Sequence, residues 1–347
     1  MKKVRVLVVD DSSLVRQILS DGLSEDPQIE VVGTATDPYM AREKIAQLRP
    51  DVLTLDVEMP KMDGVQFLRH MMPQFPLPVV MVSALTGKGQ RLTFEALEAG
   101  AVDFVTKPST NVARGLEEML VEIRAKVKIA ADADVSHWKN KPKSTRPAPQ
   151  KSQALAVSTD KVIAIGASTG GVEAISRLLP HLPSTIPGIV IVQHMPPVFT
   201  KTYADRLNEQ CSLDVKEAEN GDRILPGRVL IAPGEHQMSV RRSGGIYLVD
   251  CKKAPKVCGH CPSVEVLFES VAKYAGANAI GVILTGMGSD GANGMLAMRK
   301  AGARTMAQDE KSCVVFGMPN EAYRRGGAEK LVNLDSIPGA ILNLLKG

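Results

Sequence analysis

The stretch Val162–Gly171, VIAIGASTGG, limits what this chain can fold into more tightly than any other. Its apolar, β-branched start predicts a strand buried on both faces. The glycine cluster after it turns the chain into a helix over Val172–Leu179. Ser168 sits in that corner, inside Gly166-Ala-Ser-Thr-Gly170, a G-x-S-x-G pattern. A serine on a tight strand-to-helix corner holds its hydroxyl at the edge of a sheet, where glycines leave room for a substrate. The same corner would also suit a plain turn in which Ser168 caps the helix. The rest of the chain favours the first use.

The 347 residues allow two domains, each with its own core. Hydrophobic residues make up 44% and charged residues 23%, as in globular proteins generally, and a net charge of +4 is too small to call for a nucleic-acid partner. The five cysteines all lie in the second half, an odd number that suits reduced thiols in a cytoplasm better than a disulfide framework. The opening MKKVRVLVVDD starts like a signal peptide, but Asp10 and Asp11 break the apolar run, so it predicts a first strand. No segment approaches the roughly 18 apolar residues of a membrane span. A cytoplasmic protein with no membrane insertion is expected.

Residues 1–128 alternate strand and helix about five times. Strands are predicted at Val4–Val9, Ile29–Gly33, Val52–Leu55, Val79–Val82 and Val102–Val105. Alternation of this kind predicts a doubly wound parallel sheet that binds its ligand at the carboxyl ends of the strands. Asp10, Asp11, Asp56, Ser83 and Lys107 all fall at such ends. Three carboxylates at one edge repel one another unless a cation sits among them, and Mg²⁺ suits such oxygen ligands. A lysine and a hydroxyl beside them would bind phosphate oxygens, and a carboxylate can itself accept a phosphoryl group. Taken singly, Asp11 could cap the first helix and Lys107 could be a solvated charge.

With VVDDS, LDVEMPKMDG, VVMVSA and DFVTKP, this half resembles the response-regulator receiver domain. The resemblance implies Asp56 as the phosphorylated residue, Asp10 and Asp11 with it around Mg²⁺, and Ser83 with Lys107 as the switch pair. Phe104 falls where that family has a rotating aromatic. Residues 129–159 follow as a linker. Between Val135 and Thr159 there is no acidic residue, several lysines, Arg146 and three prolines, which predicts a solvated, semi-extended connector.

Residues 160–347 alternate strand and helix again. Strands are predicted at Gly188–Gln193, Val229–Ala232 and Ala279–Leu284, with an antiparallel hairpin around Gly244-Gly245. Ser168, His194 and Asp290 each follow a buried strand, so a parallel sheet would gather them at one edge. A serine becomes a nucleophile when a histidine takes its proton and a carboxylate fixes the histidine's tautomer. The chain order Ser, His, Asp departs from the α/β-hydrolase order of Ser, Asp, His and argues against that fold. Gly286-Met287-Gly288 offers unobstructed backbone N–H groups for an oxyanion, with Met287 the candidate. The other five histidines are set aside, His236 and His260 because they lie in or before loops.

Two other patterns compete. Gly286-Met-Gly288-Ser-Asp-Gly291 is formally G-x-G-x-x-G, with Asp309 downstream, as in dinucleotide-binding folds; that reading would leave Ser168 and His194 without roles. Cys258-Gly-His260-Cys261, with Cys251 upstream, has the pair spacing of a zinc site but lacks a second well-spaced pair.

Through IGASTGG, QHMPPVFT, PSVEVLF, LTGMGSDGANGM and FGMPNEA, the second half resembles the CheB family of chemotaxis methylesterases. That resemblance implies Ser168 as nucleophile, His194 as base, Asp290 as its orienter and the Met287 N–H at the oxyanion. The Cys258–Cys261 loop is unusual beside that family. The implied substrates are γ-glutamyl methyl esters on methylated chemoreceptors, with glutamine deamidation in some members and no cofactor for hydrolysis. A chemotaxis sensor histidine kinase would be the phosphodonor, and a monomer is expected. The expected fold class is two doubly wound parallel α/β domains, flavodoxin-like then Rossmann-like. A receiver-controlled DNA-binding or non-catalytic binding protein is the rival; the first would need a small helical reader, and the second half is too rich in strands for one.

Overall fold

The computed structural model describes residues 2–84, 86–108, 112–139 and 161–346. The chain divides into two compact units, Met1–Lys143 and Ser144–Gly347.

In the first unit, β1 (Val4–Val9), β2 (Ile29–Ala35), β3 (Val52–Asp56), β4 (Val79–Ser83) and β5 (Asp103–Thr106) form a parallel sheet ordered β2-β1-β3-β4-β5. Helices α1 (Ser13–Ser24), α2 (Pro38–Leu48), α3 (Gly64–Met71), α4 (Gly87–Glu98) and α5 (Val112–Ala131) connect and cover it. The central strands β1, β3 and β4 are largely runs of Val, Leu and Met buried on both faces, as a sheet covered on both sides requires. Side chains fix most helix starts: Asp37, Asp63 and Thr86 each accept a backbone N–H in the first turn of the following helix. The cap of α1 is Ser12 rather than Asp11.

Helix α5 runs three residues past the expected end at Lys128. A short 3₁₀ turn, Ser136–Trp138, follows it, with Trp138 buried beside Gly100. The start of the expected linker is therefore packed on the first unit, because an indole is worth burying. The remainder of that linker, 140–159, lies outside the described residues.

The second unit has a seven-stranded parallel sheet and a separate hairpin. Its strands are β6 (Val162–Ala167), β7 (Gly188–Gln193), β8 (Asp214–Glu217), β9 (Arg228–Ile231), β12 (Ala279–Ile283), β13 (Arg304–Gln308) and β14 (Leu331–Val332). The hairpin is β10 (Gln237–Ser243) with β11 (Ile246–Lys252). The connecting helices are α6 (Gly171–Leu178), α7 (Phe199–Gln210), α8 (Val264–Tyr274), α9 (Ala292–Lys300), α10 (Met318–Arg324) and α11 (Ile337–Lys346). The order β14-β13-β12-β6-β7-β9-β8 puts β6 at the point where the winding reverses, and a doubly wound sheet opens its crevice there. Gly188–Gln193 is a strand as expected, whereas β8 and β14 carry no clear signal, being short edge strands with exposed positions. Among the described residues no helix is long and apolar enough to cross a membrane.

Candidate active site

Strands β12, β6 and β7 are neighbours, in register at Ile283↔Gly166 and Ala167↔Gln193, so their carboxyl ends finish level. Ser168, His194 and Asp290 leave those ends together. The His194 N–H donates to the Ala167 carbonyl at 3.1 Å, which carries the pairing of β6 and β7 one residue onward and sets the imidazole beside the serine. Nδ1 of His194 lies 3.0 Å from Oγ of Ser168, and Nε2 lies 2.7 Å from Oδ2 of Asp290. The edges are reversed relative to chymotrypsin-type triads, in which Nε2 meets the serine. Ser168 does not cap α6. Gly170, in the left-handed region at φ 77°, occupies the cap position with no side-chain bond.

Asp290 is almost fully buried at the amino end of α8. Oδ1 accepts from Ser263 Oγ at 2.7 Å and Glu265 N at 3.0 Å, and Oδ2 from Val264 N at 2.7 Å as well as from the histidine. Burial pushes its pKa up, but the His194, Ser263 and Val264 donors more than offset this and hold the carboxyl below the usual range. An ionised Asp290 keeps a proton on Nε2 and leaves Nδ1 open to take the serine's.

Ser168 N donates to the Thr285 carbonyl at 3.0 Å, and Gly286 N to Val315 at 3.0 Å, so both are committed. Met287 N has no hydrogen-bond partner among the described residues. Gly286 lets that loop approach: a Cβ there would lie 2.7 Å from Cβ of Ser168. Sequence reasoning missed three side chains that assemble the site. Gln193 Nε2 bridges the carbonyls of Ser168 (2.9 Å) and His194 (3.1 Å), Ser263 anchors Asp290, and the His260 ring stacks on that of His194 with centroids 3.6 Å apart. His260 is not the base, yet from its loop it lies against the ring that is. Ser263 follows Pro262 and His260 lies two residues before it, ahead of the apolar run of α8, and that proximity to a helix start is the only signal either carries.

Among the described residues, the side chains of the two competing patterns are engaged elsewhere or lie apart. Asp309 is spent on Ser312, accepting its N–H at 3.1 Å and its hydroxyl at 2.5 Å. The cysteines are free, with Cys261 Sγ turned toward the Ala254 carbonyl and Cys251 packed against the core. Cys258 instead lies within 4.8 Å of Glu265 and Asp290. Both oxygens of Asp290 already take two donors each, so that cluster offers no open coordination position there.

In the first unit, Asp10, Asp11 and Asp56 place carboxylate oxygens within 4.8 Å of one another. Nζ of Lys107 lies 2.9 Å from Asp10 and 2.8 Å from Asp56. Burial, opposed by Lys107 and assisted by Asp10, pushes the Asp56 pKa up to about 6. Hard oxygen donors converging from three carboxylates fit a Mg²⁺ ion. Ser83 is buried with its hydroxyl 3.3 Å from the Gly89 carbonyl, and it accepts a 2.6 Å bond from Thr93. Phe104 is packed inward with the Lys126 ammonium 5.2 Å from its ring centroid.

Both units resemble known proteins. The family model described as CheB methylesterase matches residues 163–341, and the one described as response regulator receiver domain matches residues 6–118. A Syntrophotalea carbinolica protein named protein-glutamate methylesterase/protein-glutamine glutaminase is 65% identical over 347 residues, covering 99% of this chain and 98% of its own. A protein of that name from Escherichia coli O157:H7 is 54% identical over 342 residues, covering 99% and 97%. The crystal structure of the Thermotoga maritima CheB methylesterase catalytic domain is 38% identical at a TM-score of 0.52, covering 53% of this chain and 98% of that one. The chain belongs to the CheB methylesterase family, its catalytic domain preceded by a response-regulator receiver domain.

Proposed function

We propose that this protein is a protein-glutamate methylesterase and protein-glutamine glutaminase of the cytoplasm, which restores glutamates on methylated chemoreceptors during chemotactic adaptation and is activated by phosphorylation. One observation carries the hydrolase: the unbroken chain of hydrogen bonds from Ser168 through His194 to Asp290. All the groups the hydrolysis needs belong to this chain.

Nδ1 of His194 takes the Ser168 proton as Oγ bonds to the ester carbonyl carbon, and Met287 N–H receives the charge gathering on the carbonyl oxygen. The C–O bond to the methoxy group then breaks, Nδ1–H returns its proton to that oxygen, and methanol leaves. A water molecule, losing a proton to the same nitrogen, attacks the acyl-enzyme. The bond to Oγ breaks, Ser168 is reprotonated, and a free glutamate remains. With a glutamine, ammonia leaves in place of methanol. Asp290 keeps Nε2 protonated and supports the imidazolium in each half-reaction.

In the receiver, Asp56 is the acceptor for a phosphoryl group from a sensor histidine kinase, with Ser83, Lys107 and Phe104 as the responding residues. Asp10, Asp11 and Asp56 would hold Mg²⁺, which when bound would offset the charge of the incoming phosphoryl group.

Ser168→Ala tests the hydrolase. Methanol release from methylated receptor should fall by at least about 10³-fold, and wild-type Ser168 should be labelled by a serine-directed reagent. Turnover retained by the variant overturns the proposal. A non-catalytic binding module, the rival, would give neither turnover nor labelling.

A further inference from the structure

The hydrogen bonds of His194 hold two edges of its ring and do not themselves cover its faces. One face is covered. The His260 ring lies against it at 3.6 Å between centroids, with the planes 10° from parallel. His260 is itself tied down along its backbone. Its N–H donates to the Val257 carbonyl at 2.9 Å, and its carbonyl accepts from Val257 N at 3.0 Å, closing a tight turn through Cys258 (φ 51°) and Gly259 (φ 84°). The same carbonyl takes a 3.0 Å bond from Gln237 Nε2, at the start of the hairpin.

Gln237 Oε1 in turn accepts Ser263 N at 2.8 Å, and Ser263 Oγ donates to Asp290 at 2.7 Å. The buried amide of Gln237 thus fixes both the stacked ring and the carboxylate on the far side of the same imidazole. This gives the inserted hairpin a task at the site that a crossover helix does not supply.

We propose that His260 is a positioning residue for hydrolysis: its stacked ring fixes the plane in which His194 faces Ser168 and Asp290, and its π face supports the imidazolium formed as Ser168 attacks. The inference rests on the Ser168–His194–Asp290 reading. While His194 is neutral, the stack is an ordinary aromatic contact. Once the Ser168 proton reaches Nδ1, a delocalised cation lies against the π face of the His260 ring, and a cation–π attraction adds to the stack. An interaction that grows between ground state and transition state raises kcat rather than lowering KM.

The test uses the full chain with His260→Leu and His260→Phe, which keep comparable volume, measured for methanol release from methylated receptor and for the rate of Ser168 labelling by a small fluorophosphonate. Leucine has no ring to stack. It should lower kcat about tenfold, leave KM within about twofold and slow labelling in parallel. Phenylalanine should retain most of both rates. Equal rates for Leu, Phe and wild type overturn the proposal, as does a Phe variant as slow as the Leu variant while melting at the wild-type temperature. Equal loss with lowered melting in both variants also overturns it, since His260 would then be structural packing. Ser168→Ala, run alongside, separates the two claims. If that variant keeps turnover the triad reading fails, and if it is inactive while His260 variants are normal, only the role of His260 fails.

Discussion

Two aspartates, Asp290 and Asp56, show how one side chain takes opposite roles by environment. Both are buried, Asp56 as the last residue of β3 and Asp290 in the loop between β12 and α9, and burial pushes both pKa values up. Four donors converge on Asp290 and reverse the shift, keeping it ionised beside the His194 imidazole. Asp56 has Lys107, but also Asp10, and stays near 6. Between its ordinary value and about 6 the folded chain holds a proton that the unfolded chain releases. That contribution favours folding at acid pH and is lost as pH rises through about 6. Only an ionised carboxylate attacks phosphorus, so under the proposed acceptor role competence runs the other way, falling below that pH. Following the Asp56 carboxyl by NMR without Mg²⁺ should give a midpoint near 6 that drops when Mg²⁺ is added. A metal-free midpoint in the ordinary carboxylate range would refute this account of the acidic site.

At the scale of elements, the site depends on corners where strands become loops, and glycines let those corners meet. Gly286 is the clearest case, since a Cβ would stand 2.5 Å from Sδ of Met318 and 2.7 Å from Cβ of Ser168. The methionine tip can move aside, but the serine stands on a corner with its N–H bonded to Thr285. Gly286→Ala should therefore cost roughly 1–3 kcal/mol of stability. It should cost on the order of 10²-fold in kcat, because small misplacements of reacting groups are amplified in rate. Thermal melting and methanol release measured on the same preparation check both parts, and an active, unshifted variant would contradict them. The hairpin β10–β11 belongs at this scale too. Its glycine turn and alternation were legible in the sequence, but its service to the site was not, because Gln237 acts through backbone atoms of residues more than twenty positions away.

Across the whole molecule, the acidic sheet edge and the Ser168–His194–Asp290 edge are built by the same means in two separate units. Each uses strands buried on both faces to deliver polar residues to one margin. Control of the second by the first predicts that a small acyl phosphate with Mg²⁺ raises methanol release by the wild-type chain and not by Asp56→Asn. An equal response from both would separate the receiver from regulation. The alternation of strand and helix, the Ser168 corner and the acidic strand ends could all be found in the sequence, because each is written in a few adjacent residues with a short-range physical meaning. Asp11 or Ser12 as the cap of α1, Gln193 as a clamp and His260 against His194 could not. Those assignments depend on which strands lie side by side and how far their loops reach, and that is fixed only when distant segments share a core.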